Sequence, residues 1–127
     1  MLELSPISPD QALSSAAYLR RLQTRYDLAT DQASVTARLA DALATCAATP
    51  GEGQPTDEVM RVLRRAKASA HFAIAMSDLC YGQDLQATTG AITTLADRCV
   101  QAALACALAQ AGLAQTGLFL VALGKMG

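Results

Sequence analysis

The chain has 127 residues, 52% of them hydrophobic and 17% charged, with a formal net charge of -1. That is enough apolar material for one ordinary domain with its own core, and it excludes an intrinsically disordered chain. The near-neutral charge balance excludes nucleic-acid or anionic-membrane binding by bulk electrostatics, which needs a basic face. Aromatic residues make up only 4% and Trp is absent, so the core is to be built from Leu, Ala, Val and Ile, a composition that favours packed helices.

The opening stretch MLELSPISPD has neither a basic n-region nor an apolar h-region, so it does not read as a secretory signal. Ser8 to Gln11 read as a cap serine, a proline at the first helical position and a glutamine placed to close a capping box, which predicts a helix running to about Asp27. A second helix is predicted from about Asp31 to Ala48, with Val35, Leu39, Leu43 and Cys46 on one face. The run from Thr49 to Pro55, TPGEGQP, sustains neither helix nor strand and reads as a linker. Thr56 is the expected cap of a third helix, with Asp57 and Glu58 complementing its positive end, and Tyr81-Gly82 is its expected stop near Cys80.

Asp84 is placed to cap a fourth helix. Leu85, Thr88, Ile92, Leu95, Cys99, Ala102 and Cys106 then alternate spacings of three and four, a heptad-like seam, and Gly112 is the natural stop. Leu118 to Leu123 is a short run of mostly large apolar residues bounded by glycines, which fits a buried strand better than a helix. No other segment reads convincingly as a strand, so the ladder partners such a strand requires are missing from the sequence.

No charged residue occurs from Cys99 to Gly124, which meets the length criterion for a membrane span. Gln101, Gln110 and Gln115 interrupt that stretch, Ala dominates its first half, and Gly112 and Gly117 divide it, so the reading is of a helix followed by a separate strand. The four cysteines, Cys46, Cys80, Cys99 and Cys106, show no C-x-x-C spacing and have only His71 to complete a metal site, so zinc is not expected. Each lies among apolar residues of a predicted helix, as a free thiol does in a reducing, cytoplasmic compartment. Cys99 and Cys106 share a helical face about two turns apart, too far for a disulfide, and read as core.

Gly124-Lys125-Met126-Gly127 follows the predicted strand, where glycines let the backbone approach a phosphate and a lysine adds positive charge. Alone, this pattern is equally an ordinary polar turn. It is not a Walker A loop, because six residues separate Gly117 from Gly124 and Met126 follows Lys125. Arg61, Arg64, Arg65 and Lys67 crowd the first half of the third helix; they read as a solvated face with ion pairs to Asp57 or Glu58, or as a surface for a carboxylate-rich partner. His71, without a second ligand or a supporting carboxylate, reads as a packed histidine.

The order of LRRAKASAHFAIAMSDL, DLQATTGAITTLADRCVQAALACAL, a short gap and GLFLVALGKMG resembles the N-terminal region of the bifunctional glutamine synthetase adenylyltransferase and adenylyl-removing enzymes. The similarity runs from about Val59 to Gly127, and the first two helices match only in general character. In that family the G-K-[LM]-G turn leads into a second glycine and a strand bearing an Asp-x-Asp pair. The resemblance implies Mg2+ held by those carboxylates, ATP as nucleotide, and transfer of AMP to a tyrosine of glutamine synthetase or its phosphorolytic removal, under control of PII proteins. It implies phosphate contact for Gly124, Lys125 and Gly127, and of the family's two nucleotidyltransferase halves it points to the first, adenylyl-removing one.

This chain has no Asp-x-Asp pair, and Asp57, Asp78, Asp84 and Asp97, at caps or helical positions, do not substitute for one. No turnover is therefore expected of it alone, and neither Mg2+ nor ATP is expected to bind it tightly. The expected fold is mainly α, a bundle of about four helices followed by the first β-strand of a truncated α/β nucleotidyltransferase domain. Its divisions are an N-terminal hairpin at 1–49, a linker at 50–55, a second hairpin at 56–112, and the strand with its glycine turn at 113–127. The expected partners are glutamine synthetase and PII protein, with no nucleic acid and no membrane. The rival reading is a free-standing helical interaction module; a small membrane protein is a third.

Overall fold

Helix starts follow local chemistry. Ser8 accepts from the amide of Gln11 while the Gln11 side chain accepts from the Ser8 amide, a complete capping box, and Pro9 opens α1 (Pro9–Ser15). The Asp31 carboxylate accepts from the Ser34 amide at 2.9 Å ahead of α3 (Gln32–Ala48), and this bond holds its pKa below the ordinary carboxylate value. Asp84 does the same for Ala87 at 2.7 Å, ahead of α5 (Leu85–Gln110). The computed structural model describes residues 5–48, 55–113 and 121.

Two expectations about helix ends need correction. The first helix does not run unbroken to Asp27: Ala16 is extended (φ -121°, ψ 102°), which separates α1 from α2 (Ala17–Tyr26). The break is compensated from outside, because the Arg20 guanidinium donates to the carbonyls of Leu13 and Ser14 at 3.3 and 2.9 Å and so satisfies groups that end α1. It also lets Ala12 and Leu19, on separate axes, be buried in the same cluster. Nor does Thr56 cap α4 (Thr56–Cys80). Pro55 holds the cap position in an extended conformation, its carbonyl accepts from Glu58 and Val59, and Thr56 is already helical.

Stops rely on the left-handed backbone region. Gly82 (φ 66°) follows α4 and Gly112 (φ 69°) follows α5, where the Leu113 amide reaches back to the Leu108 carbonyl at 2.9 Å. Asp27 takes the same conformation (φ 50°) after α2, and the next residue, Leu28, is buried.

The fold is mainly α, with five helices and no strand among the described residues. Helix α4 is the central strut. Its first half, with Val59, Leu63, Ala66 and Ala70, packs with Ala42 and Cys46 of α3 and Leu95, Ala102 and Cys106 of α5. Its second half, with Phe72, Ala73 and Met76, packs with Ala12, Leu19, Leu22 and Leu28 and with Val35 from the start of α3. The Ile7 amide donates to the Leu79 carbonyl at 2.9 Å, and the Tyr81 hydroxyl donates to the Thr30 carbonyl, so both flanking segments are tied to the end of α4.

The predicted seam of the long helix holds from Leu95 through Cys99 and Ala102 to Cys106. Its N-terminal part does not, since Leu85 is 78% exposed and Ile92 is 47% exposed. By length and composition α5 could cross a membrane, yet it contributes Leu95, Ala102, Cys106 and Leu108 to the buried interior. The predicted strand at Leu118 to Leu123 lies outside the described residues, apart from the exposed Val121.

Candidate functional site

Gly124, Lys125 and Gly127, the residues assigned to phosphate contact, lie outside the described residues. What the described helices show is how the basic run of α4 is distributed. Arg61 forms an ion pair with Glu58 at 3.8 Å one turn back, and both side chains are well exposed, so this pair adds little to stability. Arg65, one turn further along, lines a groove of about 250 Å³ between α3 and α4, together with Arg38, Asp41, Thr45 and Ser69. The Nε of Arg38 is buried there and has no hydrogen-bond partner among the described residues. The groove floor is apolar, from Ala42, Val62 and Ala66.

This arrangement presents two guanidinium groups over a short apolar strip, a surface suited to a carboxylate-bearing side chain, with the Asp41 carboxylate present to moderate the charge. Of the basic run Arg61, Arg64, Arg65 and Lys67, Arg65 is the member that lines this groove. Arg38 was not singled out in the sequence because it lies on another helix, 27 residues from Arg65, and its own neighbours give no signal.

His71 is half-buried on α4, with Nδ1 3.4 Å from the hydroxyl of Tyr18 on α2. Burial is the main cause that lowers its pKa, and the nearby positive charge of Lys67 adds to it. The ring thus packs between two helices, as read from the sequence. Among the described residues no group of three or more His, Cys, Asp or Glu is placed to hold a metal ion.

The cysteines contain one surprise. Cys46 of α3 and Cys99 of α5 bring their sulfur atoms to 3.6 Å, and both are free thiols. Burial, first, and the neighbouring Cys99 push the Cys46 thiol up to about 11. Sequence spacing considered only Cys99 against Cys106, on one helix; a pair across two helices leaves no local pattern.

The described residues thus define a helical bundle with a basic groove on one side and no assembled catalytic constellation. The sequence profile of the GlnE family, glutamate-ammonia ligase adenylyltransferase, matches residues 1–127. The chain belongs to that family. It is 39% identical over 104 aligned positions to a bifunctional glutamine synthetase adenylyltransferase/adenylyl-removing enzyme of Xanthobacter autotrophicus (strain ATCC BAA-1158 / Py2), covering 72% of this chain and 10% of that protein. A protein of the same description from Caulobacter vibrioides (strain ATCC 19089 / CIP 103742 / CB 15) is 44% identical over 81 positions, which cover 53% of this chain and 8% of the relative. The matched part spans a tenth or less of the length of these relatives. No solved structure matches.

Proposed function

We propose that these residues form the N-terminal helical lead of an enzyme that adenylylates and de-adenylylates glutamine synthetase, and so adjusts nitrogen assimilation. The observation that carries this reading is the family match along the whole of residues 1–127. Both relatives bear that bifunctional description, although each is covered only in small part.

In this reading the helices hold a following nucleotidyltransferase unit, and Gly124, Lys125 and Gly127 contact nucleotide phosphate through backbone amides and the lysine ammonium. The described residues do not fit a Mg2+ site, since no acidic cluster is assembled among them. In this reading Mg2+ and ATP are bound by the complete enzyme, and residues 1–127 by themselves are expected to turn nothing over. Glutamine synthetase and a PII regulatory protein are the proposed partners, in the cytoplasm, with neither nucleic acid nor membrane involved. The net charge of -1 supports that last point.

The test is a graft. Residues 1–127 replace the corresponding lead of the Caulobacter relative, and transfer of AMP to glutamine synthetase and its removal are both followed by mass spectrometry. Activity within about tenfold of the parent is expected, and Lys125→Ala in the graft should lower the affected activity by about 100-fold. A folded chimera with neither activity would overturn the reading. The interaction-module reading draws on the exposed Leu85 and Ile92 of α5. It is favoured instead if the chain alone captures glutamine synthetase or a PII protein while the graft is inactive.

A further inference from the structure

We infer that Cys46 and Cys99 form an oxidisable dithiol site, which takes a low-molecular-weight disulfide as its reagent and closes a covalent staple between α3 and α5. Three observations carry this. The sulfur atoms are 3.6 Å apart, so a modest side-chain rotation or helix shift brings them to bonding distance. They come from different helices and are 53 residues apart in sequence, so their approach is a product of the fold. A cavity of about 250 Å³ lies against Cys46, lined also by Ala47, Arg98, Gln101, Ala102 and Ala105. That cavity adjoins Cys46, the sulfur that closes the bond in the second step, and Arg98 on its wall offers a guanidinium to a carboxylate such as a glutathione-type disulfide carries.

The order of events follows from access. Cys46 is almost wholly buried, whereas Cys99 is half-buried and is the sulfur that a dissolved disulfide reaches first. The Cys99 thiolate attacks one sulfur of RSSR, breaking its S–S bond to give a Cys99–S–S–R mixed disulfide and one RS⁻. Cys46 then loses its proton and attacks Cys99 Sγ, forming Cys46–S–S–Cys99 and expelling the second RS⁻. Both RS⁻ take up the protons the two cysteines lost. Two cysteine thiols are oxidised by two electrons and RSSR is reduced to two RSH. Excess reduced thiol runs the exchange backwards, so the site reports the thiol–disulfide balance around it.

The inference stands apart from the proposed function, because its readout is thiol chemistry. The full 127-residue chain is incubated with mixtures of glutathione and its disulfide at several ratios, quenched in acid, alkylated and digested, and the peptides are identified by mass. The expected product is an intramolecular Cys46–Cys99 link that forms about tenfold or more faster than any adduct on Cys80 or Cys106. Cys99→Ser should abolish the link, while Cys80→Ala, in the other core cluster, should leave it intact. A circular-dichroism spectrum of each variant confirms that its helices persist. The inference is overturned if folded wild-type chain keeps Cys46 and Cys99 as alkylatable thiols under conditions that oxidise the same chain in denaturant. Equal pairing of Cys46 with Cys106 would also overturn it.

Discussion

The two halves of the core are built on opposite plans around one helix. Where α4 meets α3 and α5, the buried residues are mostly small: Ala42, Cys46, Ala66, Ala70, Ala102 and Cys106. Where the same helix meets α1 and α2, a large plug of Phe72 and Met76 fills the space, helped by Leu19, Leu22 and Leu28. Small side chains let long helix backbones approach closely, and stability there comes from extended contact along the axes. Short helices cannot offer such length, so α1 and α2 are held by bulky side chains that each bury a great deal of surface. One chain thus uses backbone proximity for its long helices and side-chain volume for its short ones.

Substitutions that exchange the two plans test this contrast. Phe72→Ala removes the plug and leaves a cavity under α1 and α2, with an expected loss of about 3–5 kcal/mol in urea unfolding. Ala70→Leu does the reverse, forcing volume into the close contact, and should cost about 1–3 kcal/mol. Equal tolerance of both changes would mean that the two clusters are not packed differently. Ser8→Ala breaks the capping box of α1 and should cost about 1 kcal/mol, with faster amide exchange confined to Pro9–Ser15 and its neighbours.

The smallest effect expected is a pH dependence from His71. Its pKa is lower in the folded chain than the unfolded value of about 6.5. Between those two values the unfolded chain binds more protons, so stability rises with pH through that window. His71 therefore contributes fully above about pH 6.5, and its contribution is lost as pH falls from there through the folded pKa. His71→Gln, which can keep a hydrogen bond to Tyr18, should flatten that part of the pH–stability curve; an unchanged curve would remove His71 from the α2–α4 contact.

Legibility in the sequence tracked how local each determinant was. The capping box at Ser8 and Gln11, the Asp84 cap and the Gly112 stop act within a few residues, and each is found where its pattern predicts. Ala16 has a side chain that favours helix and carries no break signal. Its extended conformation is compensated by Arg20 and accompanies the burial of Ala12 and Leu19 against α4. The apolar periodicity of α5 marked one stripe from Leu85 to Cys106, but periodicity cannot say how much of a stripe a partner covers. The described bundle leaves Leu85 and Ile92 outside.

The same division applies to chemistry. The residue order from Val59 to Gly127 was enough to point to the family, because that order persists in one dimension. By itself the sequence determined a helical chain, most of its helix ends and its kinship, all matters of neighbouring residues and linear pattern. Only the tertiary structure decided that Arg38 shares a groove with Arg65 and that Cys46 meets Cys99. Those meetings depend on how α3 lies against α4 and α5, a choice made by the summed packing of small side chains along whole helices, which no short stretch of sequence encodes.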